Sequence, residues 1–136
     1  MSQQQLSRRQ FVASAVALLL LPRSVRAMPS GGPHPTPRAG ITAAKVLTKD
    51  QLDGNAALIA LFDGVREIPE VVDGIRCQCG CAGSEGFYSL LSCYEGEGAM
   101  AKICHICQGE GKLAIRLHKE GKSLDAIRNA IDAKFG

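Results

Sequence analysis

The sequence predicts a small all-α domain that is rich in cysteine and has short connecting loops. Apolar residues recur at helical spacing through most of the second half of the chain, glycine and proline separate these segments, and no stretch shows the alternation of a β-strand. A domain of roughly 90 residues lies near the lower limit of what one hydrophobic core supports unaided. We therefore expect the six cysteines to contribute to folding.

Two helices are predicted before the first cysteine. Thr48 and Gln51 form a capping-box pattern in the sequence TKDQ, which predicts a helix over residues 49–64 that ends at Gly64. Pro69 follows shortly afterwards in IPEVVDGI. Because proline suits the first turn of a helix but cannot continue one, it marks the start of a short second helix.

Three further helices are predicted after the cysteine triplet. The segment YSLLSCYEG indicates a short helix that carries Cys93, and residues 99–120 have the pattern of a long one. Gly121 is suited to the C-terminal cap of the long helix, and Ser123 to the N-cap of the last helix. Together these elements predict a small all-α domain with short connections.

The long helix contains one unusual position, Glu110, at the centre of its apolar face. The other residues on this face are Ile103, Ile106, Cys107, Leu113, Ala114 and Leu117. A carboxylate there needs a partner. Either the glycines at 109 and 111 loosen the helix so that Glu110 reaches solvent or a lysine, or Glu110 is an outer-shell acceptor or a ligand beside Cys107.

The N-terminal residues 1–27 resemble a twin-arginine export signal. Arg8 and Arg9 precede an apolar run that is too short to span a bilayer, and small residues allow cleavage after Ala27. Residues 28–43 contain four prolines and three glycines, which predicts an exposed, flexible linker with a solvated His34. The cysteine-rich domain is then expected over residues 44–136. These features predict a periplasmic or secreted protein without a stable membrane anchor after cleavage.

The charge and motif content exclude several functional classes. The four charged residues of segment 1–27 are all arginines, so its removal leaves 12 basic and 13 acidic residues. A protein without a basic stripe or stacking aromatics lacks the features of a nucleic-acid binder. The sequence also contains no paired carboxylates, no serine and histidine arrangement and no phosphate-cradling loop. Neither a hydrolase nor a transferase is predicted.

The cysteines form a pattern typical of soft-metal binding. The six candidate ligands are Cys77, Cys79, Cys81, Cys93, Cys104 and Cys107. Cys104 and Cys107 are three residues apart on a helix, so their sulfur atoms can converge, and the glycine-rich triplet can converge from a loop. Thiolates suit copper(I) or zinc, and copper(I) needs only two or three of them. We expect Cys104, Cys107 and two of the triplet to be the principal ligands, with copper(I) ahead of zinc.

Two alternatives remain open from the sequence. In an oxidising compartment, an even number of cysteines in a small domain often forms disulfides, which would make the domain a stapled interaction module. Because cysteines in C-x-C pair only with strain, such bonds are expected to join the triplet to the downstream cysteines. A thiol-disulfide oxidoreductase instead needs one exposed cysteine with a lowered pKa, for which Cys104 is the candidate.

At these residues the sequence resembles the exported bacterial proteins named for a PCYCGC motif. The resemblance covers roughly residues 68–136 and rests on IPEVVD, CQCGC, SLLSC, CHIC and KEGKSLDAIRNAID. It implies that the six cysteines form one site, but it implies no reaction, since the family has no assigned activity. The chain departs from the motif at Arg76 and Gln78, lacks a histidine between the triplet and Cys93, and has no cysteine after the signal to carry a lipid. An all-thiolate site is therefore expected.

Overall fold

The computed structural model describes residues 32–136, which form a helical domain with short connections. Its α-helices are α1 (Ala56–Arg66), α2 (Pro69–Asp73), α3 (Cys81–Ser84), α4 (His105–Lys119) and α5 (Leu124–Phe135), and its 3-10 helices are Lys49–Gln51, Leu90–Tyr94 and Met100–Lys102. Over this range there is no β-strand, and the only bridge joins Val46 to Glu95. The predicted all-α, cysteine-rich class is confirmed. The proposed export signal, residues 1–27, lies outside the described residues.

The prediction of one helix over residues 49–64 is wrong. A 3-10 helix, Lys49–Gln51, is followed by a turn in which Asp53 and Gly54 have φ angles of 52° and 71°. These left-handed conformations end the first element. The side chain of Asn55 then caps α1 by accepting a hydrogen bond from the Leu58 N–H at 3.1 Å, and α1 continues past Gly64 to Arg66.

The predicted signals around α2 and α5 are confirmed. Pro69 is the first residue of α2. Gly121 follows α4 with a φ of 79°, and the next N–H bonds back to the Leu117 carbonyl, as in a Schellman motif. Ser123 caps α5 by accepting from the Ala126 N–H at 3.2 Å. Local sequence signals therefore fix the start of α2, the end of α4 and the start of α5.

The long helix α4 begins later than predicted. It starts at His105, because Cys104 occupies the N-cap with extended backbone angles, and a 3-10 helix precedes it. Ile103 consequently lies outside the helix and is 76% exposed, and Ile106 is also exposed. Their predicted place on a buried apolar face is wrong, whereas the downstream residues Leu113 and Ala114 are buried.

The glycines of α4 permit close packing and do not loosen the helix, which is continuous from His105 to Lys119. A Cβ atom at Gly111 would collide with the Tyr94 hydroxyl, and one at Gly109 would lie 2.8 Å from Cζ of Phe135. These glycines let the segment Leu90–Tyr94 and α5 approach the helix. The expectation that they release Glu110 to solvent is wrong, because Glu110 is fully buried.

The core lies between α1, α4, α5 and the 3-10 helix Leu90–Tyr94. Phe62 and Tyr94 meet edge to face with ring centroids 4.8 Å apart. The fully buried aliphatic side chains around them include Val65, Val72, Ile75, Leu90, Leu91, Ile127 and Ile131. Four of the cysteines, Cys77, Cys81, Cys93 and Cys107, are part of the same cluster, so the sulfur-rich region is continuous with the core.

The described part of the predicted linker, residues 32–43, contacts the domain. His34 lies against α5 and accepts a hydrogen bond from the Arg76 N–H at Nδ1, so the expectation that it is solvated is wrong. The Arg38 guanidinium binds the buried Asp73 carboxylate at 2.7 Å and lies 4.5 Å from the ring centre of Tyr88. Partners far away in sequence therefore hold this proline-rich segment in place.

Within residues 32–136, none of the helices has the length and apolar character that crossing a membrane requires.

Candidate metal centre

The fold brings the sulfur atoms of all six cysteines into one region. The triplet lies in the loop after α2, with Cys81 as the first residue of α3. Cys93 lies within the 3-10 helix Leu90–Tyr94, and Cys104 and Cys107 occupy the N-cap and first turn of α4. Three separate segments thus converge on a single site.

The Sγ atom of Cys107 lies at the centre of this arrangement. It is 3.3 Å from Sγ of Cys77, 3.4 Å from that of Cys79 and 4.0 Å from that of Cys81. Sγ of Cys77 is also 3.1 Å from Sγ of Cys79. Cys77, Cys93 and Cys107 are buried, whereas Cys79 and Cys104 are partly accessible. The site is therefore an internal cluster with one accessible side.

A disulfide bond joins Cys79 to Cys81, which corrects the expectation that any disulfide joins the triplet to the downstream cysteines. The intervening Gly80 has a φ of 83°, and this left-handed turn brings the two Cα atoms to 5.6 Å, within the range of disulfides. A bond between such close neighbours cannot staple the loop to α4. Cys77, Cys93, Cys104 and Cys107 are free thiols.

Two sets of four cysteines have the proximity that a metal ion requires. One set is Cys77, Cys81, Cys93 and Cys107, and the other is Cys79, Cys81, Cys104 and Cys107. Within each set all sulfur atoms lie within 4.8 Å of one another. No histidine belongs to either set over the described residues, and His105 is exposed. The donors are soft thiols, and either set could hold a metal ion.

Mutual hydrogen bonds shift the pKa values of the three buried free thiols in opposite directions. Hydrogen bonds from Cys107 and Cys93 lower the pKa of Cys77 to about 3, although burial opposes this shift. The hydrogen bond to Cys77, followed by that to Cys93 and by burial, raises the pKa of Cys107 above its usual range. For Cys93, a hydrogen bond with Cys107 favours the thiolate, but the bond to Cys77 and burial raise its pKa overall. The Cys77 thiol therefore loses its proton readily, whereas the thiols of Cys93 and Cys107 do not.

The N-terminus of α4 adds a favourable field. Cys104 is its N-cap and Cys107 lies in its first turn, where the backbone N–H groups carry partial positive charge. A helix N-terminus lowers the cost of a thiolate. For Cys107 this field favours the thiolate, but the hydrogen bonds to Cys77 and Cys93 and burial outweigh it.

Glu110 supports the cysteine loop from behind. Its Oε1 accepts a hydrogen bond from the Gln78 N–H at 2.8 Å, between two members of the triplet. Burial and the negative charge of Cys77 raise the pKa of Glu110 to about 9, so the carboxyl group is protonated at neutral pH. Of the two alternatives for this residue, the structure selects the buried acceptor. Glu110 orients the backbone that carries the sulfur ligands.

Tyr94 fixes the start of α4 from the opposite side. Its hydroxyl donates to the Cys107 carbonyl at 2.6 Å and is buried against Gly111. Burial, followed by the nearby Cys107 and Cys93 sulfurs, raises the pKa of Tyr94 well above its usual value, so the phenol remains a donor. This contact depends on the packing of two separate segments, so helical spacing and local motifs do not predict it.

The departures from the PCYCGC motif form a hydrogen-bond network beside the cluster. The Arg76 N–H, which a proline would lack, donates to Nδ1 of His34 at 3.0 Å. Nε2 of His34 and Nε2 of Gln78 both donate to the Asp132 carboxylate, at 3.0 and 2.7 Å. These contacts tie residues 32–40 and α5 to the cysteine loop. Sequence spacing alone could not reveal them, since His34 and Asp132 are 98 positions apart.

Comparison with known proteins assigns a family without assigning an activity. No curated protein matches the chain. No solved structure matches it. Residues 40–136 match the family described as proteins of unknown function with a PCYCGC motif, and the chain therefore belongs to that family.

Proposed function

We propose that this protein binds soft metal ions, copper(I) or zinc, through its cysteine thiolates outside the cytoplasm, and that it serves in metal handling rather than in catalysis. The observation that carries the proposal is the convergence of six sulfur atoms from three segments into two overlapping sets of four. Thiolates are the protein ligands that these ions prefer.

The bonding state of the loop determines which ion suits the site. While the Cys79–Cys81 disulfide is closed, the first set retains three free buried thiols, those of Cys77, Cys93 and Cys107. A three-sulfur site suits copper(I) better than zinc, which takes four ligands in structural sites. We therefore propose copper(I) for the oxidised form.

The proposed location follows from the twin-arginine pattern of residues 1–27. Twin-arginine routes carry folded proteins, so the cysteines could take up their metal while cytoplasmic reductants keep them as thiols.

One observation favours a second candidate function, thiol-disulfide exchange. Sγ of Cys77 lies 3.1 Å from the disulfide sulfur of Cys79. A Cys77 thiolate could attack that sulfur, forming a Cys77–Cys79 bond and releasing Cys81 as a thiolate. The site would then pass oxidising equivalents to a substrate dithiol. This candidate requires turnover of such a substrate, whereas the metal-binding proposal does not.

Native intact-mass spectrometry of the protein exported by a bacterial host tests the proposal. The sample is alkylated before and after denaturation, in separate aliquots. We expect a mass increment from bound metal, and buried thiols that alkylate only after denaturation or metal removal. A metal-free protein that stays metal-free after reduction and incubation with zinc or copper(I) would contradict the proposal. Rapid oxidation of a model dithiol by the same sample would favour exchange.

A further inference from the structure

We propose that, once the Cys79–Cys81 disulfide is reduced, the six cysteines hold two metal ions in one cluster, with the sulfur atoms of Cys81 and Cys107 bridging the two ions. This inference rests on the proposed function and specifies the stoichiometry and geometry of its site. It concerns four-coordinate divalent ions such as Zn²⁺ or Cd²⁺.

The number of sulfur donors matches two metal sites that share two ligands. The two four-cysteine sets share two members, Cys81 and Cys107, and together they include all six cysteines. Two separate tetrahedral sites need eight ligands, and one site leaves two cysteines unused. Two tetrahedra that share an edge need six, of which two are common. The two cysteine sets, which share two of their members, have the composition that two edge-sharing tetrahedra require.

The distances between the sulfur atoms also fit a shared edge. With metal–sulfur bonds of about 2.3 Å, the edge of a tetrahedral sulfur site is about 3.8 Å long. The Sγ atoms of Cys81 and Cys107, which would form the shared edge, are 4.0 Å apart. Sγ of Cys107 also lies 3.3 Å from a terminal ligand of one set, Cys77, and 3.4 Å from one of the other, Cys79. Cys107 thus already contacts members of both sets.

The negative charge of six thiolates favours divalent ions over copper(I). Six thiolates in a largely buried site need cations to offset them, since unpaired buried charge is costly. Two divalent ions offset four of the six negative charges, whereas two copper(I) ions offset only two. Binding of two divalent ions needs all six sulfur atoms as thiolates and releases the protons that the thiols still carry, and the N-terminus of α4 stabilises part of the remaining charge. Charge therefore favours a pair of divalent ions in the reduced form.

The disulfide determines when the second ion can bind. A dithiol reductant converts the Cys79–Cys81 bond into two thiols and is itself oxidised to a disulfide. Before this step, Cys81 cannot bridge and the second set retains only Cys104 and Cys107. We expect the oxidised protein to bind at most one ion and the reduced protein to bind two.

The test uses the full chain, reduced with dithiothreitol, freed of reductant under anaerobic conditions and titrated with ¹¹³Cd²⁺. Native mass spectrometry gives the number of ions per chain, and ¹¹³Cd NMR reports whether they share ligands. We expect two ions per chain and two resonances that are coupled through the bridging sulfur atoms. Two uncoupled resonances, or one ion per chain, would overturn the inference. One tightly held ion would leave the proposed function intact, whereas no bound ion would overturn both.

Serine variants separate bridging from terminal ligands. Cys104→Ser removes a partly accessible terminal ligand, so we expect one ion per chain and loss of the coupling. Cys93→Ser is its match in the other set and should also retain one ion. Cys81→Ser changes a ligand common to both sets and should weaken both ions. Equal loss of a single ion in all three variants would contradict bridging. Circular dichroism of the metal-free proteins controls for misfolding of the buried variants.

Discussion

Replacement of Gly111 by alanine tests the packing that holds Cys107 in place. The new Cβ atom would overlap the Tyr94 hydroxyl and lie 3.3 Å from Cδ1 of Leu61. Tyr94 is fully buried and donates to the Cys107 carbonyl, so it cannot move without breaking that hydrogen bond or displacing the core. A substitution that normally stabilises a helix should here destabilise the protein.

The magnitude follows from three contributions. Overpacking of a tight core costs about 1–3 kcal/mol. A buried hydroxyl that loses its acceptor adds about 1–3 kcal/mol. The higher helix propensity of alanine offsets about 1 kcal/mol of this loss. The net loss is therefore about 1–5 kcal/mol, and each kcal/mol lowers the Tm of a domain of this size by roughly 4–8 °C.

Thermal unfolding followed by circular dichroism measures this change, with both proteins in the same redox and metal state. Gly109→Ala is the matched control in the same helix. Its Cβ meets only the ring end of Phe135, a partly buried residue next to the C-terminus, so we expect a much smaller change. The double variant Gly111→Ala, Tyr94→Phe should recover part of the loss. A Gly111→Ala protein as stable as the parent would show that the contact between Gly111 and the Tyr94 hydroxyl is not tight.

Three further predictions concern the rest of the domain. Hydrogen bonds from Arg38 and Ser89 outweigh burial and hold the pKa of Asp73 below its ordinary value of 3.8, so their stabilisation is present above that pH and lost as pH falls through the lowered pKa. Asp73→Asn should therefore cost about 1–3 kcal/mol in denaturant titrations at pH 7, with the difference from the parent shrinking below about pH 4. His34→Ala should speed hydrogen exchange at the Arg76 amide, and unchanged protection there would show that the contact is unimportant. Zinc at 100 times its Kd should stabilise the reduced protein by about 2.7 kcal/mol for each bound ion, reversibly with a chelator, and equal stability with and without zinc would argue against a folded-state site.

The sequence predicted the elements whose signals are local. Pro69, Gly121 and Ser123 act through their own backbone or the adjacent turn, and the structure has each of them at the expected helix end. The break before α1 also had a local signal, Asp53-Gly54 followed by a capping Asn55, which the helical spacing around it obscured. The family resemblance is confirmed. It covers residues 40–136 and so begins earlier in the chain than the predicted residues 68–136.

The features that the sequence could not predict depend on distant partners. Residues 32–43 have the composition of an exposed linker, yet Arg38 contacts Asp73 and His34 contacts α5. Periodicity placed Glu110 on the apolar face but could not reveal that its Oε1 accepts a hydrogen bond from the Gln78 N–H. The bond between Cys79 and Cys81 depends on the left-handed turn at Gly80, which spacing does not specify.

X-ray absorption at the metal edge of the reduced, zinc-loaded protein tests whether thiolates alone hold the metal, because it reports the atoms bound to the ion. We expect a first shell of sulfur alone at about 2.3 Å, since no histidine belongs to either ligand set in residues 32–136. A first shell that contains nitrogen or oxygen would contradict an all-thiolate centre and would place the metal elsewhere on the protein.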